Sequence, residues 1–218
     1  MTVTLKVTVT LLSLAHREKP MPYARKDLLT WQTGMYYHIY NRGVNKSTLF
    51  RETTNYLFVI EKLQKYRKEN NVAVIAYCFM PNHYHLLLRQ DGNKPAGNVP
   101  QSVFNSYSKA YNLKYSHSGT LFESRFHAKP IQTKSHLLHL CRYIHGNPVK
   151  DGLVTDPADW GWSNYLDWIG ERNGTLVDRE FINDQFDGVD EYKKFLFEYL
   201  KNRLLPEDVM RFLEDLEK

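Results

Sequence analysis

The chain has 218 residues, 42% hydrophobic and 24% charged, which fits one globular domain of ordinary size plus an extension. No run approaches the ~20 apolar residues that a membrane-spanning helix needs, which excludes an integral helical membrane protein. The net charge of +5 is unevenly spread: residues 31–150 carry 16 Lys+Arg against 5 Asp+Glu, and residues 151–218 carry 8 against 17.

A basic body points to a polyanionic partner. The histidines and aromatics interleaved with its charge favour nucleic acid over a membrane surface. Residues 1–30 read as an N-terminal extension. Val3, Leu5, Val7 and Val9 alternate with polar residues as in a short strand. Lys6 interrupts the apolar start, and no small-residue cleavage site follows, which argues against a secretory signal. Met21 opens a stretch that reads as a natural start, so the first 20 residues are expected to be an upstream extension or a weakly ordered arm.

Met35 to Arg42 is aromatic and alternating, a strand. Gly43 to Lys46 has turn chemistry. In Arg51 to Asn70, Tyr56, Val59, Ile60, Leu63 and Tyr66 recur at helical spacing opposite Lys62, Lys65 and Lys68. Val72 to Phe79 and His83 to Leu88 are two apolar runs joined by Met80-Pro81-Asn82, an antiparallel pair with a tight turn. A Gly/Pro/Asn loop leads to a helix over roughly 99–115, marked by Val103, Tyr107, Ala110, Tyr111 and Leu113. A strand follows at Phe126 to Ile131. Thr133 or Ser135 can cap a third helix, His136 to His145, which Gly146 and Pro148 are expected to stop.

This order, β-α-β-β-α-β-α, predicts an α+β fold. Its first six elements are those of a ferredoxin-like antiparallel sheet with two helices on one face. Residues 31–170 form the predicted main domain, with Trp160, Trp162, Tyr165 and Trp168 packed against it. Residues 171–218 form an acidic helical extension with helices near 188–203 and 206–217. Cys78 and Cys141, the two cysteines, sit in apolar segments and read as buried free thiols in a reducing cytoplasm.

Two positions suggest chemistry. His83 and His85 alternate with Tyr84 along a strand, so both imidazoles share a face about 7 Å apart and can converge on one metal ion. The competing reading is two core histidines, each with its own hydrogen-bond partner. On the third helix, Tyr143 shares a face with His139 and Asn147 at four-residue spacing. Two histidines and an amide oxygen could hold Mg²⁺ or Mn²⁺ with positions left for substrate.

These segments resemble a family. Met80-Pro81-Asn82-His83-Tyr84-His85-Leu86-Leu87 is similar to the HUH-type motif of single-tyrosine transposases, in the branch of REP-associated tyrosine transposases. Three further blocks fit that branch in the same order: Gly119 to Phe126, Arg142 to Val149, and Trp160 to Tyr165. The resemblance covers about residues 34–168. It implies that Tyr143 is the nucleophile, attacking a DNA phosphate to form a 5′-phosphotyrosine. It also implies His83 and His85 as metal ligands, with Asn147 in the place of a third, and Mg²⁺ or Mn²⁺ as cofactor. The partner would be single-stranded or hairpin DNA, and the enzyme a cytoplasmic monomer or homodimer.

Arg42, Lys46, Lys109, Lys114 and Arg125 are the candidate phosphate contacts. Tyr107 and Tyr111 are rival nucleophiles, and His136, His139 and His145 are candidate proton carriers near Tyr143. Two other readings stand beside the transposase: an inactive DNA-binding regulator with the same fold, and an RNA-binding module using the sheet as a stacking platform. The histidine pair counts against the RNA module, which needs aromatics rather than metal ligands.

Overall fold

A computed structural model describes residues 30–202 and 205–217; the expectations for the first 29 residues lie outside the described residues. Four strands, β1 (Tyr36–Arg42), β2 (Val72–Phe79), β3 (His83–Gln90) and β4 (His127–Ile131), form one antiparallel sheet in the order β2-β3-β1-β4. This is the ferredoxin-like order. Helices α1 (Thr53–Asn70) and α2 (Asn98–Tyr115) cover one face. Tyr37, Ile39, Val74, Phe79, Tyr84, Leu86 and Leu88 meet Val59, Leu63, Val103, Phe104 and Tyr107 there in one apolar cluster. Each helix links two parallel strands with one antiparallel strand between them: α1 joins β1 to β2 across β3, and α2 joins β3 to β4 across β1.

The alternation of strand side chains sends Ala73, Cys78 and Leu87 to the other face. A bulge between Val74 and Ala76 brings two successive residues, Ile75 and Ala76, to that side. Helix α3 (Lys134–Lys150) lies on it. Behind α3 pack α4 (Tyr165–Trp168), α5 (Arg179–Gln185), α6 (Val189–Asn202) and α7 (Glu207–Glu217). Their Trp168, Phe181, Tyr192, Leu196 and Leu213 share one core with Ile144 and the sheet, so the acidic helices are built into the same body. With helices on both faces, the sheet offers no open platform for stacked bases. Among the described residues no helix is long and apolar enough to cross a membrane. Cys78 and Cys141 are free and buried.

The third helix corrects the expected boundary. It starts at the Thr133 cap, whose Oγ1 accepts the His136 N–H at 3.2 Å, and runs past Gly146 and Pro148 to Lys150. Pro148 removes one N–H, but the last turn is closed by Asp151 N–H to Asn147 O and Leu153 N–H to Pro148 O, both at 2.9 Å. Gly146 is there for a close crossing rather than a stop: a Cβ would meet Leu200 Cδ2 at 3.0 Å and Tyr199 Cε1 at 3.2 Å on α6.

The outer edge of β2 is covered by residues 160–164. Phe79 N–H donates to Trp162 O at 3.0 Å, Trp160 Nε1–H to Phe79 O at 3.2 Å, and Tyr77 N–H to Asn164 Oδ1 at 2.8 Å. An otherwise open strand edge is thereby closed. Two groups hold this cover. The Arg172 guanidinium reaches the buried Asp167 carboxylate at 2.6 Å and also binds Gly161 O (2.8 Å) and Ser163 O. His145, fully buried on α3, donates Nε2–H to Asn164 Oδ1 at 2.9 Å and accepts from the Tyr192 hydroxyl through Nδ1 at 2.5 Å.

Both contacts are testable. Arg172→Met leaves the buried Asp167 carboxylate with the Gly174 N–H but without its cation and should destabilise by about 3 kcal/mol in urea unfolding; a loss under about 1 kcal/mol would mean that the pair does not hold the edge cover. Burial lowers the His145 pKa from 6.5 to about 4. Its folded pKa lies below its unfolded one, so its contribution is fully present above pH 6.5 and is lost as pH falls through 4. At full shift this amounts to roughly 3 kcal/mol. His145→Gln should flatten the fall in urea midpoint between pH 7 and 4.5; an unchanged slope would assign the acid sensitivity elsewhere.

Candidate active site

The turn before β3 is clamped. Pro81 O accepts the N–H groups of Leu49 (2.7 Å) and Phe50 (3.0 Å), and Asn82 O accepts that of Gly43 (2.8 Å). A Cβ on Gly43 would run into the Ser47 carbonyl, so the loop after β1 can close over the turn only with glycine there. His83 and His85 leave this fixed start on the α3 side, while Tyr84 packs flat on Phe104 on the other. The two imidazoles lie 5.2 Å apart between centroids at 81°.

Helix α3 brings Tyr143 over them, its ring edge-on to His85 at 5.6 Å and 80°. Tyr143 is 4% exposed and lines a cleft of about 400 Å³ together with His83, His85, Asn147, Lys150 and Asp151. Tyr40, Arg42, Lys46 and Asn82 form its other wall. The spacing on α3 explains the grouping. Asn147 is one turn from Tyr143, and Lys150, seven residues on, returns to the same face. Lys150 Nζ stands over the Tyr143 ring at 5.3 Å.

One ring nitrogen of each histidine has a partner. His83 Nδ1–H donates to Asn82 Oδ1 at 2.7 Å, and His85 Nδ1 lies 3.1 Å from His38 Nε2. Burial holds both below the ordinary imidazole pKa. For His85 the neighbouring His83, His38 and Lys150 push the same way, while for His83 the Asp151 carboxylate opposes the shift. Neutral imidazoles with free lone pairs are what a metal needs. Asn147 uses Nδ2 to bind Tyr143 O at 3.0 Å, which leaves Oδ1 as the group it can offer. Among the described residues no three His, Cys, Asp or Glu side chains converge. A metal here would therefore sit on two imidazoles and a neutral oxygen and keep open positions, unlike a closed structural site.

The other candidates separate. Arg42 and Lys46 line the cleft, and Arg42 is forked onto Glu123 with two 3.0 Å bonds. The Gly119–Phe126 block positions that carboxylate by running beside β1: Val44 N–H donates to Leu121 O (3.1 Å) and Glu123 N–H to Arg42 O (3.0 Å). Arg125, from the same block, is exposed and is not among the cleft residues. Lys109 is exposed on α2, and Lys114, also on α2, is paired with Glu52. Neither lines the cleft.

Tyr107 and Tyr111 are buried under the opposite face, their hydroxyls on Leu49 O (2.5 Å) and Thr48 O (3.2 Å), which removes them as rivals to Tyr143. His145 turns into the core as described above. His136 pairs with Asp208 at 2.7 Å and His139 packs on Phe195, so none of the three serves the cleft.

Sequence reading missed Asp151, Lys150 and Tyr40. The first two were hidden by ending the helix at His145. Tyr40 was detectable from strand alternation, since it faces His85 across the sheet in register.

The family model described as "Transposase IS200 like" matches residues 31–147. A REP-associated tyrosine transposase of Escherichia coli K12 is 23% identical over 130 residues, spanning 55% of this chain and 76% of its own length. Among solved structures, one described as a REP-associated tyrosine transposase bound to a REP hairpin superposes with a TM-score of 0.57 at 21% identity. That match covers 72% of this chain and 93% of the other and shows a shared fold. The chain belongs to the IS200-like transposase family.

Proposed function

We propose that the protein is a metal-dependent transposase that cleaves and rejoins single-stranded DNA at hairpin-forming repeats through a 5′-phosphotyrosine on Tyr143. The observation that carries this reading is the approach of Tyr143, the only tyrosine of α3, to His85 across a cleft that also holds His83. The names of the relatives, and the hairpin bound in one of them, support the choice of DNA substrate. The reading includes a cytoplasmic location.

His83, His85 and Asn147 would hold the divalent ion. Bound there, it would neutralise charge developing on the non-bridging oxygens of the scissile phosphate. Tyr143 Oη attacks phosphorus, the bond to the 3′ oxygen breaks, the phenol loses its proton and the 3′ oxygen ends as a hydroxyl. A phenol with pKa about 10 needs help to do this, and Lys150 supplies a positive charge beside both the ring and the incoming phosphate. One phosphodiester replaces another, so a new 3′-hydroxyl can reverse the step and join strands without ATP. Arg42 and Lys46 would hold the backbone in the cleft, the phosphate displacing Glu123 from Arg42.

A labelled hairpin oligonucleotide from repeats flanking the gene, incubated with protein and Mg²⁺ or Mn²⁺, should give a covalent protein–DNA band on a denaturing gel. The band should disappear in Tyr143→Phe while hairpin binding stays within a few-fold. An adduct that survives the substitution would overturn the assignment of the nucleophile. Tight binding with no adduct under either metal would favour a regulatory DNA-binding protein.

A further inference from the structure

His38 is the one histidine of β1, and the chemistry above does not use it. It is fully buried, at 0% exposure, on the same sheet face as His85. Its Nε2 meets His85 Nδ1 at 3.1 Å, and the two rings are nearly parallel at 18° with centroids 5.2 Å apart. The Phe212 ring of α7 and the stacked Tyr40 lie against it, so neither substrate nor solvent reaches it. Its Nδ1 is buried without a hydrogen-bond partner among the described residues. A buried imidazole with one orphaned nitrogen is a costly way to fill space that Phe or Leu would fill for less. What distinguishes it from an apolar filler is the contact its other nitrogen makes with His85.

Two neutral imidazoles joined through one nitrogen each share one proton. If that proton sits on His38, His85 must carry its own on Nε2, which blocks the lone pair facing the cleft. If it sits on His85 Nδ1, His38 is the acceptor and His85 Nε2 is bare. We propose that His38 is a positioning residue that accepts the Nδ1–H of His85, fixing its tautomer and ring orientation so that Nε2 is presented to a divalent cation. The role matches the general dependence of metal-ligating histidines on an acceptor behind the ring. It rests on the reading of His85 as a ligand. In this arrangement the orphaned Nδ1 of His38 carries the proton that its Nε2 gives up.

The test follows the tautomer and the ion separately. In metal-free, ¹⁵N-histidine-labelled protein, two-bond ¹⁵N–¹H correlations should show His85 as the Nδ1–H form. His38→Phe should shift it toward Nε2–H, and His38→Gln, whose amide oxygen can accept the same proton, should restore it. Mn²⁺ affinity, read by electron paramagnetic resonance, should fall roughly 10- to 100-fold in His38→Phe and recover in His38→Gln. His38→Phe removes one orphaned nitrogen but leaves the buried His85 Nδ1 without its partner, so the tautomer and not the urea midpoint discriminates: a merely structural histidine would leave the tautomer alone. His85 as Nε2–H in the unsubstituted protein, or Mn²⁺ binding that is indifferent to His38→Phe, overturns the inference. The tautomer shift without Mn²⁺ binding by the unsubstituted protein would uphold the His38–His85 relay and refute the metal reading instead.

Discussion

The structure depends on one strand that serves two masters. β3 lies between β2 and β1, hydrogen-bonded on both sides, and its side chains alternate between two different interiors. Tyr84, Leu86 and Leu88 anchor the α1–α2 layer, while His83, His85 and Leu87 face α3. A register slip of one residue would exchange these sets, burying two imidazoles among aromatics and turning Tyr84 and Leu86 into the cleft. The apolar alternate therefore holds the imidazoles in register, and the clamped Pro81-Asn82 turn fixes where the strand begins. Fold stability and cleft geometry are set by the same eight residues.

Much of this was legible before the fold was seen, because it rests on local periodicity. Alternation along β1 and β3, the helical spacing of Tyr56, Val59 and Leu63, and the Thr133 cap are short-range signals with direct physical causes. The pairing of His83 with His85 and of Tyr143 with Asn147 was readable for the same reason, since each pair lies on one face of one element; that the two pairs meet at one cleft was implied only by the family resemblance. What escaped was set by tertiary contact. Pro148 and Gly146 read as stop signals, and they fail to stop α3 because α6 packs against it and the last turn finds other donors. Local propensity yields to packing there.

The phosphate contacts show the same limit. Arg42, Lys46, Lys109, Lys114 and Arg125 were grouped by charge, and charge carries no address. Only the fold separates Arg42 and Lys46, at the cleft, from Lys109 and Lys114 on the far helical layer. The pairing of Lys114 with Glu52 joins residues 62 positions apart and has no local signature. The His38–His85 contact, 47 positions apart, is equally invisible in one dimension, although β-strand alternation puts both rings on the α3 side once the strands are paired.

Helix α3 is buried from Leu140 to Pro148. The sheet lies on one side of it, α6 crosses it at Gly146 on the other, and His145 ties its middle to Asn164 and Tyr192. A segment buried on both sides opens only with the global unfolding of its core and belongs to the slowest-exchanging part of a protein. The helix that carries Tyr143 is thus a stator. If strands are exchanged at this cleft as proposed, a helix so enclosed favours an exchange in which the polynucleotide does the travelling and the tyrosine stays where the fold has put it.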